Sequence, residues 1–391
     1  MALDPEPVVM QDFDAHVPEH DHAHDQMTDV RPKRIRSEPA RYIHEQEEYA
    51  SEAHRKRHRA LLTMDTPNTV QEALSDQEWR SAMDEEYNAL TANRTWDLVR
   101  LPPGRKVIKG KWVFKVKTGA NGEETRKKAR FVARGFTQKK GVDYEQTYSP
   151  VISMTSLRVM LTLAAYHDLE LIQVDINTAY LYGGLKEEIY IEQPEGYQQY
   201  DSTGAELVCR LQKSIYGLKQ SGRCWWINLH AHLVKMDFKS SPNEPCMYHK
   251  QTKDGPIMIA VYVDDLIIAA PNSQHTEDVV SALKSKYSIK PAEQLNFVLG
   301  IKVTRKRAER KIFLSQETYA RNTLARFQME TCNPVTTPAE GQQASIPSDE
   351  PVADYPYREA IGSLMYLATS TRPDLAYAVN TLARHSVSPK H

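Results

Sequence analysis

Two adjacent carboxylates, Asp264 and Asp265, follow Tyr262-Val263 and lie between apolar runs at 257–261 and 266–270. Each run is short, apolar and bounded by polar residues or proline, the pattern of a buried strand. The pair therefore belongs at the tip of a hairpin. Ionised carboxylates beside an apolar core are costly unless their charge is compensated. A divalent cation compensates it, and oxygen-only ligands suit Mg²⁺ or Mn²⁺. Aspartate is also a common turn residue, so the pair alone leaves metal ligand and simple turn both open. A third carboxylate, Asp175, ends the strand-like run 169–175, 89 residues before Asp264. If the two strands are sheet neighbours, three carboxylates meet at one point. That is a ligand set for two Mg²⁺ ions about 3.5–4 Å apart, an arrangement that performs in-line phosphoryl transfer. In such chemistry the protein mainly supplies position and field.

The elements that must carry these residues follow from periodicity. Trp79, Met83, Tyr87 and Leu90 fall at helical spacing behind the candidate caps Ser75 and Asp76. Leu101-Pro102-Pro103-Gly104 breaks the chain. Two strands at 111–117 and 127–134, turned at Gly119-Ala120-Asn121-Gly122, make a hairpin, and the first alternates lysine with apolar residues. Helices are expected at 156–166, 222–236, 277–287, 316–328, 357–368 and 373–385, a short strand at 189–192, and a second hairpin from 299–303 and 310–314. A proline-rich loop is expected at 333–355. Helices mixed with antiparallel hairpins, without a βαβα alternation, define an α+β fold.

The chain has 391 residues, enough for two or three lobes around real cores. A formal net charge of −1 hides strong asymmetry. Residues 1–60 hold 13 acidic and 9 basic residues and 7 of the 14 histidines, and residues 1–65 read as disordered. Within them His20, His22 and His24 form a polar tract able to bind a metal opportunistically, and Lys33-Arg34-Ile35-Arg36 is a short candidate nuclear address. Residues 105–140 hold 13 Lys/Arg and two acids, Glu123 and Glu124, with Trp112, Phe114, Phe131 and Phe136 interleaved. That is the electrostatic footprint of a polyanion partner. Cys209, Cys224, Cys246 and Cys332 have no paired spacing, which argues against structural zinc or a disulfide framework and fits a reducing compartment. No signal peptide opens the chain and no run reaches the ~18 apolar residues of a membrane span, so a soluble intracellular protein without a membrane partner is expected.

Longer motifs give the chain a family likeness. Trp79-Arg80-Ser81-Ala82-Met83-Asp84-Glu85-Glu86, Asn93-Arg94-Thr95-Trp96, residues 128–138, Tyr148-Ser149-Pro150-Val151, Gln173-Val174-Asp175, residues 214–220, Tyr262-Val263-Asp264-Asp265 and Thr371-Arg372-Pro373-Asp374 together resemble the reverse transcriptase region of copia-type LTR retrotransposon polyproteins. The resemblance runs from about Thr66 to the C-terminus. It implies a right-hand polymerase: a variable tail at 1–65, fingers, palm and the start of the thumb at 66–330, and a proline-rich loop with a helical connection toward RNase H at 331–391. It implies that Asp175, Asp264 and Asp265 are catalytic, and that they bind Mg²⁺ (two ions, Mn²⁺ as an alternative) with the backbone carbonyl of Ile176. Tyr180 would lie beneath the incoming sugar and exclude a 2′-hydroxyl, or else be a core aromatic. Gln220 would contact the nucleotide, or be an ordinary loop amide. Lys128, Arg130 or both would neutralise the triphosphate, or else be solvated charges. The segment from Leu299 resembles the primer-grip region, and the basic helix with Arg321 and Arg326 would begin the thumb and track phosphates. The implied partners are an RNA template, a DNA or tRNA primer and dNTPs, in cytoplasmic particles with a nuclear phase.

The chain lacks a Cys-Cys-His-Cys knuckle and an Asp-Ser/Thr-Gly protease motif, and reads as a fragment or degraded copy that keeps the polymerase unit. Tyr148 and Tyr180 stand where phenylalanine is usual, and Trp226 where tyrosine is common. The rival expectation is an inactive remnant that folds and binds nucleic acid without catalysis. The oligomeric state is not legible in the sequence.

Overall fold

The computed structural model describes residues 66–118, 125–339, 355–387 and 389. The expected tail at 1–65, the turn at 119–122 and most of the proline-rich loop lie outside the described residues. In chain order the elements are α1 (Val70–Ser75), α2 (Gln77–Ala92), β1 (Trp96–Val99), β2 (Val107–Ile108), β3 (Gly110–Thr118), β4 (Thr125–Ala133), α3 (Met154–Tyr166), β5 (Glu170–Asp175), β6 (Tyr190–Ile191), β7 (Val208–Leu211), α4 (Ser221–Lys235), β8 (Lys239–Ser241), β9 (Glu244–Thr252), β10 (Gly255–Tyr262), β11 (Asp265–Ala270), α5 (Ser273–Lys284), β12 (Glu293–Gln294), β13 (Phe297–Val298), β14 (Ile301–Lys306), β15 (Lys311–Ser315), α6 (Glu317–Arg326), α7 (Tyr357–Ser370) and α8 (Ala376–Ala383). Helices mixed with sheets that are antiparallel except for the β2–β6 pair confirm the α+β class.

Local signals set most boundaries. Asp76 caps α2 by accepting the N–H groups of Glu78 and Trp79, a contact worth about 1 kcal/mol. Asn272 caps α5 through the N–H of His275, so this helix starts four residues before the apolar pattern predicts. Strand β6 is the short strand expected at 189–192, whereas β8, β9 and the β6 partners β1, β2 and β7 in the small β1-β7-β6-β2 sheet go beyond the expected strands.

Two cores result. The larger lies around the six-stranded sheet β12-β5-β11-β10-β9-β8, against which α3, α4 and α5 pack. The smaller joins α2, the β3–β4 hairpin and the small sheet through Trp79, Trp112 and Phe131. In the hairpin, Trp112 and Phe114 turn inward to Trp79 and Phe131. Lys111, Val113 and Lys115 turn outward, with Lys128 opposite Lys115 and Arg130 opposite Val113. The strand alternation thus puts cations on one face. A third sheet, β13-β14-β15, is tied to the turn before β5 by Arg305 and Arg307, both of which donate to Asp168 at 2.8 Å.

Candidate active site

Strands β10 and β11 close on Tyr262 opposite Asp265, leaving Val263 and Asp264 as a two-residue turn. Val263 has φ 56°, in the left-handed region. Tight hairpins favour Gly, Asn or Asp there, and a β-carbon in that region costs about 1–2 kcal/mol. The turn is held from below. The Trp225 indole N–H donates to the Val263 carbonyl at 2.7 Å. Trp225, 2% exposed on α4, is boxed by Tyr182 and Tyr287, with ring centroids 6.2 and 5.3 Å away. Tyr182 in turn accepts the Ser288 N–H, and Tyr287 donates to Asn228.

Strand β11 also pairs with β5, in a register that sets Asp265 directly opposite Asp175. Directly opposed Cα atoms lie about 4.5–5.5 Å apart. The Ile176 N–H donates to the Asp264 carbonyl at 2.9 Å, so the third carboxylate-bearing residue joins the same end of the sheet. The side chains have protein partners: Lys290 Nζ donates to Asp175 Oδ2 at 2.6 Å, and Gln173 Nε2 to Asp265 Oδ1 at 3.1 Å. Burial pushes the Asp265 carboxyl above its ordinary range. The Gln173 bond opposes this, the charges of Asp264 and Asp175 reinforce it, and Lys290 opposes it again. In these rotamers no group of three His, Cys, Asp or Glu side chains among the described residues is disposed to hold a metal ion. The donor chemistry nevertheless fits a hard divalent cation. Three carboxylates share one end of the sheet, and a lysine supplies positive charge against one of them.

Near the acidic turn, the β3–β4 hairpin meets Tyr216, a member of the 214–220 motif. Arg130 stacks on Tyr216, its Cζ 4.2 Å from the ring centroid, and donates to the Tyr216 hydroxyl at 3.3 Å. The Tyr216 ring meets Tyr180 edge-on, centroids 4.6 Å apart and planes at 65°. Both tyrosines feel the Asp264 charge: burial first, then Asp264, raises Tyr180, and burial pushes Tyr216 up to about 12 against the pull of Arg130. Lys128 is half-buried on the Arg130 face. Glu86 accepts the Phe131 N–H beneath that strand, and burial raises its carboxyl.

Glycines bring the Tyr216 loop to the hairpin. The Ala133 N–H donates to the Tyr216 carbonyl at 2.8 Å. A β-carbon on Gly217, whose φ is 93°, would overlap the Ala133 carbonyl, and one on Gly135 would overlap the Gly217 carbonyl. Gln220 faces elsewhere. It is 2% exposed at the start of α4, accepts from Gln138 at 3.1 Å, and donates to the Asp143 carbonyl at 2.8 Å and toward Glu187 at 3.4 Å. Contact with a nucleotide must compete with those bonds. The feature that marks Tyr216 in sequence is an aromatic ring directly before a glycine, four residues upstream of the more conspicuous amide.

The C-terminal helices dock beside this centre. Tyr366 on α7 donates to the Leu299 carbonyl and packs on Tyr319 of α6, centroids 4.9 Å apart. Arg158 of α3 donates to the Thr369 and Ser370 carbonyls. Arg321 and Arg326, expected to track phosphates, are paired with Glu317 and Glu359. Exposed pairs of this kind are worth about 0–1 kcal/mol and are readily exchanged.

The site is thus an acidic hairpin turn on an antiparallel sheet, with the Arg130 end of a cationic ribbon reaching toward it through Tyr216 and Tyr180. The family model described as reverse transcriptase (RNA-dependent DNA polymerase) matches residues 93–341. The chain belongs to that family, and it is the reverse transcriptase domain of a copia-type transposon polyprotein, as the motifs implied. It is 38% identical over 335 residues to the retrovirus-related Pol polyprotein from transposon TNT 1-94 of Nicotiana tabacum, covering 83% of this chain and 25% of that protein. It is 39% identical over 333 residues to the corresponding polyprotein from transposon RE2 of Arabidopsis thaliana, covering 84% and 22%. The chain thus spans about a quarter of the length of these relatives. Among solved structures, a foamy viral protease-reverse transcriptase in complex with double-stranded DNA aligns at 10% identity and TM-score 0.36, over 80% of this chain and 49% of that one.

Proposed function

We propose that the chain is an RNA-directed DNA polymerase that adds dNTPs to a primer 3′-hydroxyl on an RNA or DNA template. The observation that carries this reading is the register of Asp265 opposite Asp175 beneath the Val263-Asp264 turn. In the reaction the primer 3′-oxygen bonds to the α-phosphorus of the dNTP. The bond from that phosphorus to the bridging oxygen breaks, pyrophosphate leaves, and the hydroxyl proton passes to solvent. Mg²⁺, as two ions (or Mn²⁺), would supply a lowered pKa for the hydroxyl and charge neutralisation for the leaving group. Asp175 and Asp264 would hold both ions, with the Ile176 carbonyl as a further ligand and Asp265 as a weaker or outer one.

The remaining residues position the substrate. Arg130 and Lys128, on the cationic hairpin face, would meet a triphosphate, to which a guanidinium can give bidentate contacts. Tyr180, edge-on to Tyr216, would close the space for a 2′-hydroxyl. Other bases of the fingers and thumb hold an RNA template and a DNA or tRNA primer through phosphates, without reading sequence.

The test is incorporation of dTTP on a poly(rA)/oligo(dT) template by the purified chain, with and without Mg²⁺. Asp264→Asn should abolish incorporation while leaving the thermal midpoint close to wild type. Unchanged incorporation would refute the mechanism.

A further inference from the structure

We propose that Tyr216 is a positioning residue for sugar selection: its ring sets the angle at which Tyr180 faces the incoming nucleotide, and Arg130 sets the ring of Tyr216. This inference rests on the polymerase reading and extends it to a residue outside the carboxylate set.

The argument begins with how Tyr180 is held. It sits in a short 3-10 turn, Ala179–Tyr182, entered through Thr178 at φ 50°. A turn of that length has few bonds of its own to fix a side chain. The Ser214–Gln220 segment supplies the missing constraints. The Ser214 hydroxyl donates to the Tyr180 carbonyl at 2.6 Å, and the Ser214 N–H donates to the Gly183 carbonyl at 2.8 Å. Two residues on, the Tyr216 ring meets the Tyr180 ring edge-on at 4.6 Å. One loop therefore holds both the backbone and the ring of Tyr180. An edge-on aromatic pair prefers a narrow range of angles, so Tyr216 limits the rotation of Tyr180 about χ1 and χ2.

Tyr216 is itself fixed from the other side. Arg130 covers its ring face at 4.2 Å and bonds its hydroxyl at 3.3 Å. Its backbone is pinned to β4 by the Ala133 N–H and by the close approach of Gly217. The contacts run in series from the cationic hairpin to the sugar-facing ring. A triphosphate that draws Arg130 toward itself would change the support behind Tyr180 in the same event. Arrival of the phosphate end of a nucleotide and inspection of its sugar end are thereby coupled through a single tyrosine. A ring that merely filled space would not need a cation on its face and a second ring on its edge.

The discriminating measurement compares dUTP with UTP on poly(rA)/oligo(dT), a pair that differs only at the 2′ position, using the full chain. For each variant kcat and KM are measured for both nucleotides, alongside the thermal midpoint. Tyr216→Ala should lower the dUTP-over-UTP ratio of kcat/KM by roughly tenfold or more, the range for losing one shaping contact in a pocket. Tyr216→Phe keeps the ring and loses the Arg130 bond; it should preserve the ratio and raise KM for both nucleotides. Tyr216→Leu, which retains bulk without a planar edge, guards against misfolding of the alanine variant and should behave like it. A wild-type ratio in folded Tyr216→Ala and Tyr216→Leu would overturn the proposal, as would a ratio lost equally in Tyr216→Phe. Tyr180→Ala serves as the reference: if it keeps the wild-type ratio, the sugar-facing role of Tyr180 fails. If the wild-type chain incorporates neither nucleotide, the polymerase reading itself fails.

Discussion

Replacing Trp225 with phenylalanine isolates the support beneath the acidic turn. The substitution removes the indole N–H that meets the Val263 carbonyl at 2.7 Å. An unpaired buried acceptor costs about 1–3 kcal/mol. The smaller ring leaves a gap inside the Tyr182–Tyr287 box, worth about 1–2 kcal/mol more. The sum, about 2–5 kcal/mol, predicts a thermal midpoint about 4–20 °C lower for a large domain. The effect on turnover should exceed what stability explains. Val263 is a β-branched residue at φ 56°, and the lost bond is one that holds it there. When the turn relaxes, Asp264 moves with it, and a displacement of about 1 Å at a reacting centre can cost about a hundredfold in rate. The assay is kcat for dTTP incorporation well below both midpoints. Leu229→Ala is the control: Leu229 is on the same helix, 1% exposed, and its truncation should cost a comparable 2–5 kcal/mol. Equal losses of kcat in the two variants, or a wild-type kcat in Trp225→Phe, would refute the idea that the indole sets the turn.

Two further outcomes follow from charge. Lys290 is half exposed, and its pair with Asp175 should contribute no more than about 1 kcal/mol. Lys290→Met should therefore leave the metal-free midpoint within a few degrees of wild type and tighten Mn²⁺ binding by up to about fivefold, read by electron paramagnetic resonance of free Mn²⁺; unchanged or weaker binding would show that the lysine does not compete for the site. Asp168 is held below its ordinary range, chiefly by Arg307 and then Arg305 with burial opposing. A depressed carboxylate adds stability above its unfolded pKa and loses it as pH falls through the folded one. Asp168→Asn should accordingly lower the midpoint at pH 7 and converge on wild type under strong acid, and a gap that stays constant with pH would contradict the pairing.

The residues that announce themselves in sequence are those whose local pattern coincides with their tertiary use. Trp79, Met83 and Leu90 repeat at helical spacing and are buried along α2. The apolar runs flanking Asp264-Asp265 became adjacent strands of a sheet. Strand β9 was not legible, because Glu244-Pro245 opens it and only Cys246 and Tyr248 within it are fully buried. Its place is fixed by pairing with β10, a non-local fact. The same holds inside the site. Gln173 and Lys290 reach the carboxylates through antiparallel registers set by strands far away in sequence. Gln220 has the chemistry of a ligand-binding amide, yet the junction it starts claims both ends of the carboxamide. Tyr216 looks like any loop aromatic until the glycine after it lets two backbones touch.

That contact between Gly217 and the end of β4 also fixes a mechanical property of the ribbon. With no side chain between the two backbones, the crossing is a point of close support, and the nine residues of β4 run out from it to where Lys127 is tied to Asp76 and Glu78. Eight rises of about 3.3 Å give an arm of about 26 Å from Ala133 to Thr125. A tilt of about 5° at the crossing then sweeps the far end by about 2 Å, enough to break or make a hydrogen bond. Arg130, three residues from the crossing, moves less than half as far in the same sweep. Any tilt at the crossing would be geared: coarse travel at the outer end of β4, fine adjustment at Arg130.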